Sequence, residues 1–315
     1  MNGVLIIDKP AGLTSHDVVA HVRRILGEKR VGHTGTLDPF ATGVLVVLVG
    51  RATRLAQFLS GAEKEYEAVI RLGYATDTGD VTGKRATESH AKPQSTQSFG
   101  REDIEAALAS LRGEIDQVPP MYSAKKHEGR KLYELARRGE EIERAAVRVT
   151  IHEFEPVNLD SASLVQNDDG TCDLAVRVVC SAGTYVRTLA EDFGKRLGVG
   201  AHLAALRRTR AGDFRINDAI TLDELQEKIE TNAQTLLLSH DAALSRLSYF
   251  DLNADDTRRT LNGMNVQVSV EAGSQWRAGE RVRMRDETGN LVAIGFYDGV
   301  THTLHPRVVV ATPGS

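Results

Sequence analysis

One aspartate stands in a loop whose composition suits a reactive group. Residues 32–45 read GHTGTLDPFATGVL, and this glycine-rich loop runs straight into the aliphatic run Val44–Val49. Pro39 biases Asp38 towards an extended backbone, and the glycines allow a ligand to come close. A carboxylate held in such a loop can act as a nucleophile. The same residues also fit a structural Asx-turn, because Asp-Pro commonly opens turns.

Other chemistries find less support around this loop. His16, His33 and Asp38 are too dispersed for a metal site, and no H-x-x-x-H pattern occurs. The glycines lack the G-K-[ST] of a P-loop. Ser15 beside His16 suggests a hydrolase, but no G-x-S-x-G elbow accompanies the pair. The sequence therefore predicts no metal site.

The elements that must position Asp38 can be predicted from hydrophobic periodicity. We expect a strand at Val4–Ile7, a helix at His16–Leu26 that Thr14 or Ser15 caps, and a buried strand at Val44–Val49. The loop from Val31 to Gly43 is predicted to contain neither helix nor strand. A short helix is predicted at 51–59. Alternation around Tyr66 predicts a strand with one mainly apolar face.

Further helices are predicted at 101–111, 131–138, 184–197 and 222–229, the last with a T-x-x-E capping box. After residue 248 the chain changes to short alternating segments separated by glycines, which predicts a small β-rich module. Segments 86–98 and 158–171 are predicted to be surface loops.

Length and composition indicate a globular protein of about two domains, since the chain has 315 residues, 41% hydrophobic and 26% charged. Cys172 and Cys180 flank a predicted strand and are interpreted as buried free thiols, which fits a cytoplasmic location. The aliphatic run Val44–Val49 is far shorter than the roughly 18 residues of a membrane helix. The first ten residues lack a signal peptide's basic start. We therefore expect no membrane partner.

The net charge of −4 hides two basic segments. Residues 121–148 contain eight Lys/Arg against five Asp/Glu, and residues 195–215 contain six against one. Segregated positive charge on an acidic protein favours binding of a phosphate backbone. A charge run can equally be a solvated face. Charge alone leaves both interpretations open.

Several motifs in order resemble the TruB family of bacterial tRNA pseudouridine-55 synthases. The first 250 residues or so contain the motifs, which are KPAGLTS (9–15), GHTGTLDPFATGVL (32–45), RLGYATDTGDVTG (71–83), QVPPMYSAKKHEGRKLYELAR (117–137), CSAGTYVRTLAEDFG (180–194) and LRRTRAGDF (206–214). Val186 stands where isoleucine is common, a conservative difference. The tail after 248 resembles a PUA-type RNA-binding module more loosely, through LNGMNV and VAIGFYDG.

The resemblance implies an α+β fold: a pseudouridine synthase domain with a mixed, largely antiparallel sheet and a thumb insertion, followed by a small PUA-like β pseudobarrel. The implied domains are residues 1–247, with the thumb at about 118–148, and residues 248–315. The implied reaction isomerises a uridine of the tRNA T-loop. It needs no redox change, so no cofactor or metal is expected.

The resemblance also implies roles for individual residues. Asp38 would be the nucleophile, and Arg187 would pair with it and lower its pKa. Tyr66 would stack on the target base and handle a proton. From the residues alone, Tyr66 fits a core tyrosine equally well. Arg187 alone is better interpreted as a solvated arginine at a helix start.

The implied substrate-binding residues of the pocket are Tyr185 and Leu206, while His33 would occupy the space vacated when the uridine leaves the folded T-loop. Those of the thumb are Lys125, Lys126 and Arg130. From its own sequence context, Leu206 would be ordinary helix core. Lys9 and Pro10 match a motif that buttresses the active-site loop. The expected partner is tRNA, through its T-arm and acceptor stem, with a monomeric enzyme that requires no protein partner.

Two rival functions keep the same fold. One is a tRNA-binding or folding helper without catalysis, against which the intact Asp38 and Arg187 argue. The other is a guide-RNA-dependent pseudouridine synthase, against which the thumb insertion argues.

Overall fold

The computed structural model describes residues 1–86, 99–123, 126–127, 130–131, 138, 142–157 and 164–311. Side chains are described for these residues except 126–127, 130–131 and 230–234. Within these ranges no helix is long and apolar enough to cross a membrane.

The described strands, in chain order, are β1 Gly3–Lys9, β2 Val31–His33, β3 Thr42–Val49, β4 Lys64–Leu72, β5 Gly113–Gln117, β6 Lys126–His127, β7 Arg130–Lys131, β8 Val147–Pro156, β9 Val165–Gln166, β10 Cys172–Cys180, β11 Ala201–Ala211, β12 Phe214–Arg215, β13 Ser248–Asp251, β14 Val266–Gln267, β15 Arg281–Arg285, β16 Leu291–Asp298 and β17 Thr303–Val309. The described α-helices are α1 Ser15–Leu26, α2 Ala56–Leu59, α3 Arg101–Ala109, α4 Val186–Arg196, α5 Leu222–Asn232, α6 Ala254–Leu261 and α7 Val270–Gly273.

One mixed sheet carries the first part of the chain. Its strands lie in the order β1-β3-β11-β4-β10-β8-β5, with β2 beside β3, β12 beside β11 and β9 beside β10. Every pairing is antiparallel except that of β3 with β11. Helices α3 and α4 pack on the β4 region through Ile104, Leu108, Leu189 and Phe193. Helices α1 and α5 cover β1 and β3 through Val18, Val22 and Leu225.

A second sheet of five strands follows from Ser248 onward, in the order β13-β15-β16-β17-β14. It encloses its own apolar cluster, which includes Trp276, Met284 and Tyr297. A smaller cluster joins the two sheets: Leu55 and Leu244 pack with Ile294 and Val310 there. The predicted α+β fold, with a largely antiparallel sheet and a small β module behind it, is confirmed.

Local predictions fared unevenly. The strand at Val44–Val49 is confirmed, and Thr14 rather than Ser15 caps α1, through a capping box with Asp17. The capping box at the start of α5 is present. The loop after α1 was predicted to lack strand, yet Val31–His33 pairs with the end of β3.

Other differences concern helices. Residues 50–55 form a 3-10 helix before the four-residue α2. Further 3-10 helices are Ile216–Asp218, Ala233–Leu236 and Ala242–Leu244. The predicted start of the helix at 131–138 is wrong, because Lys131 lies in β7. Residues 132–137 are outside the described part of the chain.

Candidate active site

The Asp38 loop is fixed from three sides by buried side chains. Ser15 accepts a hydrogen bond from the Leu37 N–H (2.8 Å), and its hydroxyl donates to the Leu37 carbonyl (3.1 Å). The fully buried Lys9 ammonium donates to the carbonyls of Pro39 (3.3 Å) and Ala41 (2.6 Å). Lys9 therefore does buttress the loop, and Ser15 is a structural residue here, not a hydrolase nucleophile.

Arg208 of β11 fixes the other end of the loop. Its guanidinium donates to the carbonyls of Val44 (2.7 Å) and Gly35 (3.1 Å). Strand β3 approaches β11 very closely here, because a Cβ on Gly43 would lie 2.2 Å from the Arg208 carbonyl oxygen. Only glycine fits at residue 43, and its φ of +101° also requires it.

Asp38 faces the buried guanidinium of Arg187. Arg187 Nε lies 2.8 Å from one carboxylate oxygen and Nη2 lies 3.2 Å from the other. Arg187 is only 4% exposed, whereas the Asp38 side chain is 32% exposed and reaches an open cleft. Bidentate pairing of this kind fixes the direction of the carboxylate.

Arg187 is itself held by several acceptors. It donates to the carbonyls of Thr78 and Tyr122, each at 2.7 Å, and its Nη1 lies 3.8 Å from the carboxylate of Asp80. Arg187 is the second residue of α4, whose first turn is fixed by Gln117 at the end of β5. The Gln117 side chain accepts from the N–H of Tyr185 (2.7 Å) and donates to its carbonyl (3.1 Å).

The electrostatics of Asp38 correct one expectation. Burial raises the pKa of the Asp38 carboxyl, the Arg187 guanidinium opposes this, and the second carboxylate of Asp80 adds to the rise. The sequence predicts a lowered pKa for Asp38, because only its pairing with Arg187 can be inferred there. Burial and Asp80 together outweigh the cation, so Asp38 releases its proton at a higher pH than a free aspartate.

A cleft of about 260 Å³ opens beside this pair. Its walls bring together five of the predicted residues, Asp38, Tyr66, Tyr185, Arg187 and Leu206. They also include the unpredicted Lys64, Ser123, Ser181, Thr184 and Arg208. Tyr66 and Arg208 are cross-strand partners on β4 and β11, which brings the Arg208 cation near the phenol.

Tyr66 and Lys64, both on β4, are strongly desolvated in this cleft. Burial raises the pKa of the Tyr66 phenol, and the Arg208 cation opposes that rise. Burial lowers the pKa of the Lys64 ammonium to about 8. The ammonium donates hydrogen bonds to the carbonyls of Ser60 and Ala62. Tyr66 is therefore a neutral phenol at neutral pH.

His33 does not line this cleft, and its expected role in the space that the uridine vacates in the T-loop stays a prediction. Its ring packs edge-on against His16, with ring centroids 5.4 Å apart. Burial lowers the pKa of His33 to about 4, so the ring is neutral. Its Nδ1 is buried and finds no hydrogen-bond partner among the residues that the structure describes.

The structural alternatives considered for Arg187 and Leu206 are wrong. Arg187 lies near a helix start but is buried and paired, not solvated. Leu206 belongs to strand β11 rather than to a helix core. Tyr66 is buried as a core tyrosine would be, yet it also lines the cleft.

The predicted basic residues of the thumb are only partly described. Lys125 lies outside the described residues, as do the side chains of Lys126 and Arg130, whose backbones pair as β6 and β7. The second basic segment, 195–215, is partly neutralised by the fold. Arg207 pairs with Asp8 and Arg210 with Glu65.

The sequence contains only weak indications for Asp80 and Arg208, two site residues that were not predicted. Asp80 belongs to the motif at 71–83 without an expected role of its own, and its carboxylate accepts hydrogen bonds from Thr78 (2.9 Å) and Thr82 (2.9 Å). Arg208 lies in the basic segment 195–215, and nothing in its sequence context indicates burial. In the described part of the chain, no group of three or more His, Cys, Asp or Glu is arranged to hold a metal ion. Cys172 and Cys180 are free and buried, as predicted.

The chain is similar to known proteins over most of its length. Residues 23–186 match the family "TruB family pseudouridylate synthase (N terminal domain)" and residues 187–246 match "tRNA pseudouridylate synthase B C-terminal domain". A "tRNA pseudouridine synthase B" of Bacillus thuringiensis (strain Al Hakam) is 44% identical over 272 residues, 86% of each chain. One of Ralstonia nicotianae is 42% identical over 303 residues, 95% of this chain and 91% of the relative.

Solved structures give the same fold. The "Crystal Structure of a Cbf5-Nop10-Gar1 Complex" matches with a TM-score of 0.71 and 26% identity, over 98% of this chain and 85% of the other. The archaeal box H/ACA sRNP Nop10-Cbf5 complex matches at a TM-score of 0.68 and 25% identity, over 99% and 86%. By its family matches and its close relatives, the chain belongs to the TruB family of pseudouridylate synthases.

Proposed function

We propose that this enzyme converts uridine to pseudouridine at position 55 in the T-loop of tRNA, acting alone, with Asp38 as its nucleophile. The observation that carries the proposal is the Asp38 carboxylate, aimed by the buried Arg187 into a cleft that Tyr66 also lines. The relatives named tRNA pseudouridine synthase B support tRNA as the substrate.

The chemistry is an isomerisation that balances without an oxidant or reductant. The bond from N1 of uracil to C1′ of the ribose breaks, the base rotates, and a bond from C5 to C1′ forms. The C5 proton leaves and N1 takes up a proton. An ionised Asp38 can support this by adding covalently to the base or by reacting at the sugar, and both routes fit the geometry. Arg187 keeps the carboxylate aimed in either case.

The base must leave its stack to reach Asp38, which costs a few kcal/mol. Tyr66 can compensate by stacking on the extruded uracil, with Leu206 as an apolar wall and Tyr185 nearby. His33 is close in sequence to the cleft residue Gly35, and we propose that it acts on the RNA outside the cleft rather than on the flipped base.

The raised pKa of Asp38 gives a pH prediction. Protonation removes the nucleophile, so kcat/KM should fall as the pH falls through that pKa, and the fall should begin above the ordinary aspartate value of about 4. Arg187→Lys keeps a positive charge but loses the two-point contact, which should move the acid limb to higher pH. Single-turnover rates from pH 5 to 9 at constant ionic strength measure this. An acid limb at the same pH in both enzymes would contradict the electrostatic coupling.

Contacts with the RNA stem are assigned to the thumb, residues 118–148, and specifically to Lys125, Lys126 and Arg130. Reversal of each charge singly to Glu should raise KM and reduce the slope of log K against log salt by roughly one unit. Binding titrations at several salt concentrations test this. The matched control is Arg101→Glu on the exposed start of α3, which should change the slope much less. An equal slope in thumb variants and wild type would make these residues a solvated face.

We assign residues 1–247 to a catalytic domain and residues 248–315 to a PUA-like RNA-binding domain that holds the acceptor stem. The separate sheet and apolar cluster after Ser248 support this division. Arg54 ties the two together by donating to the Val309 carbonyl (2.6 Å). We propose a monomeric enzyme of the cytoplasm, where tRNA is available and buried thiols stay reduced.

One experiment tests the proposal and both rivals. Pure protein is incubated with unmodified tRNA, without guide RNA or other proteins, and pseudouridine is mapped along the product. We expect modification at position 55 alone. Binding without modification would favour a folding helper. Modification only after addition of guide RNA and partner proteins would favour the second rival, a guide-RNA-dependent pseudouridine synthase.

A further inference from the structure

The cleft contains a buried hydroxyl that has no hydrogen-bond partner among the described residues. Ser123 lies at the base of the thumb and lines the same cleft as Asp38 and Tyr66. It is 5% exposed, and its Oγ makes no hydrogen bond to any residue that the structure describes. A buried hydroxyl left unpaired carries a desolvation penalty, and a ligand bound in the cleft can supply the missing hydrogen-bond partner.

The backbone around Ser123 is already in place. The neighbouring Tyr122 carbonyl accepts a hydrogen bond from Arg187 at 2.7 Å, and Arg187 also holds Asp38. The position of Ser123 relative to the nucleophile is therefore set by a shared arginine. The hydroxyl can meet a ligand by rotating about one bond, without rearrangement of the chain.

A second serine in the same cleft makes the contrast clear. Ser181 also lines the cleft, but its hydroxyl accepts a hydrogen bond from the Thr150 N–H at 2.9 Å. Ser181 thus has a structural partner and joins β10 to β8. Of these two cleft serines, Ser123 is the one whose hydroxyl has no hydrogen-bond partner among the described residues.

We infer that the Ser123 hydroxyl donates a hydrogen bond to a carbonyl oxygen of the uracil held in the cleft; this rests on the proposed function. Rotation of uracil about its N3–C6 axis exchanges N1 with C5 and, with them, O2 with O4. A donor that binds one carbonyl before the rotation therefore meets the other carbonyl after it. Ser123 can hold the base in both orientations, which makes it a positioning group for substrate and product alike.

The test compares Ser123→Ala with Ser181→Ala. Ser123→Ala should lower kcat/KM for the tRNA about 3- to 10-fold, the usual range for one neutral hydrogen bond, while Tm stays equal or rises. Ser181→Ala should lower Tm because it leaves the Thr150 N–H unpaired. A Tm loss in Ser123→Ala similar to that in Ser181→Ala, with kcat/KM unchanged, would overturn the inference and make Ser123 structural.

The substrate atom is identified with modified RNA. The Ser123→Ala penalty should shrink to within about twofold on RNA with 2-thiouridine or 4-thiouridine at the target position, because sulfur accepts a hydrogen bond weakly. A full penalty on both thio substrates, or its disappearance only on 2′-deoxyuridine, would overturn the assignment to uracil. Wild-type enzyme is assayed alongside. Its failure to form pseudouridine would reject the proposed function, whereas equal rates in wild type and Ser123→Ala would reject only the role of Ser123.

Discussion

Asp38→Asn should abolish turnover while tRNA affinity stays within a few-fold of wild type. The amide keeps the volume of the carboxyl and can still accept a hydrogen bond from Arg187, but it has neither charge nor nucleophilicity. Loss of a nucleophile commonly costs several orders of magnitude, so a decrease of more than about 100-fold in the single-turnover rate is expected. A residual rate above roughly a hundredth of wild type would make Asp38 an improbable nucleophile.

Thermal melting of the same variant gives an independent result. Because burial raises the pKa of Asp38 in the folded state, the folded protein binds this proton more tightly than the unfolded chain does. The ionised carboxylate therefore costs stability at neutral pH, and the cost is relieved as the pH falls below the folded pKa. Asp38→Asn removes that charge, so its Tm should equal or exceed the wild-type Tm.

The matched control is Asp8→Asn. Asp8 also pairs with an arginine, Arg207, at 2.7 Å, but it does not line the cleft. We expect Asp8→Asn to turn over tRNA at nearly the wild-type rate. If both variants lost activity equally, the effect of Asp38→Asn would be a general consequence of breaking an ion pair. A clear fall in Tm for Asp38→Asn would indicate a structural ion pair.

Much of the scaffold could be predicted because it depends on local periodicity. The β3 run and the alternation around Tyr66 both give buried strands, and the capping residues before α1 and α5 act within one turn of chain. The resemblance predicted the pairing of Asp38 with Arg187. These residues are 149 positions apart in sequence, yet their side chains are 2.8 Å apart in space. No local pattern indicates that pairing.

The rest depended on burial and on contacts between distant segments. Arg208 is 1% exposed although it belongs to a basic run, because the close approach of β3 and β11 encloses its guanidinium. The direction of the Asp38 pKa shift was wrong for the same reason, since neither desolvation nor Asp80 can be seen from sequence. The contact of His33 with His16 likewise depends on the pairing of β2 with β3, which the loop sequence does not indicate.

Tyr66→Phe and Tyr66→Ala should separate stacking from proton handling. The phenyl ring can still stack on the flipped uracil, a contact worth about 1–3 kcal/mol per base, so phenylalanine should bind tRNA normally and alanine should bind it more weakly. The phenol is neutral at neutral pH, since burial raises its pKa more than the neighbouring Arg208 cation lowers it. A neutral phenol in this position can take one proton as it releases another while the C5 proton leaves.

The phenylalanine variant should therefore turn over at least roughly 100-fold more slowly, the low end for a lost acid–base group. Its fold should survive, because Arg208 keeps the carbonyls of Val44 and Gly35 as acceptors. The matched control is Tyr74→Phe, since Tyr74 lies outside the cleft with its ring against His202, and its turnover should stay near wild type. Near-normal kcat for Tyr66→Phe would limit Tyr66 to stacking and leave another group, with Lys64 the next candidate by position, to accept the proton.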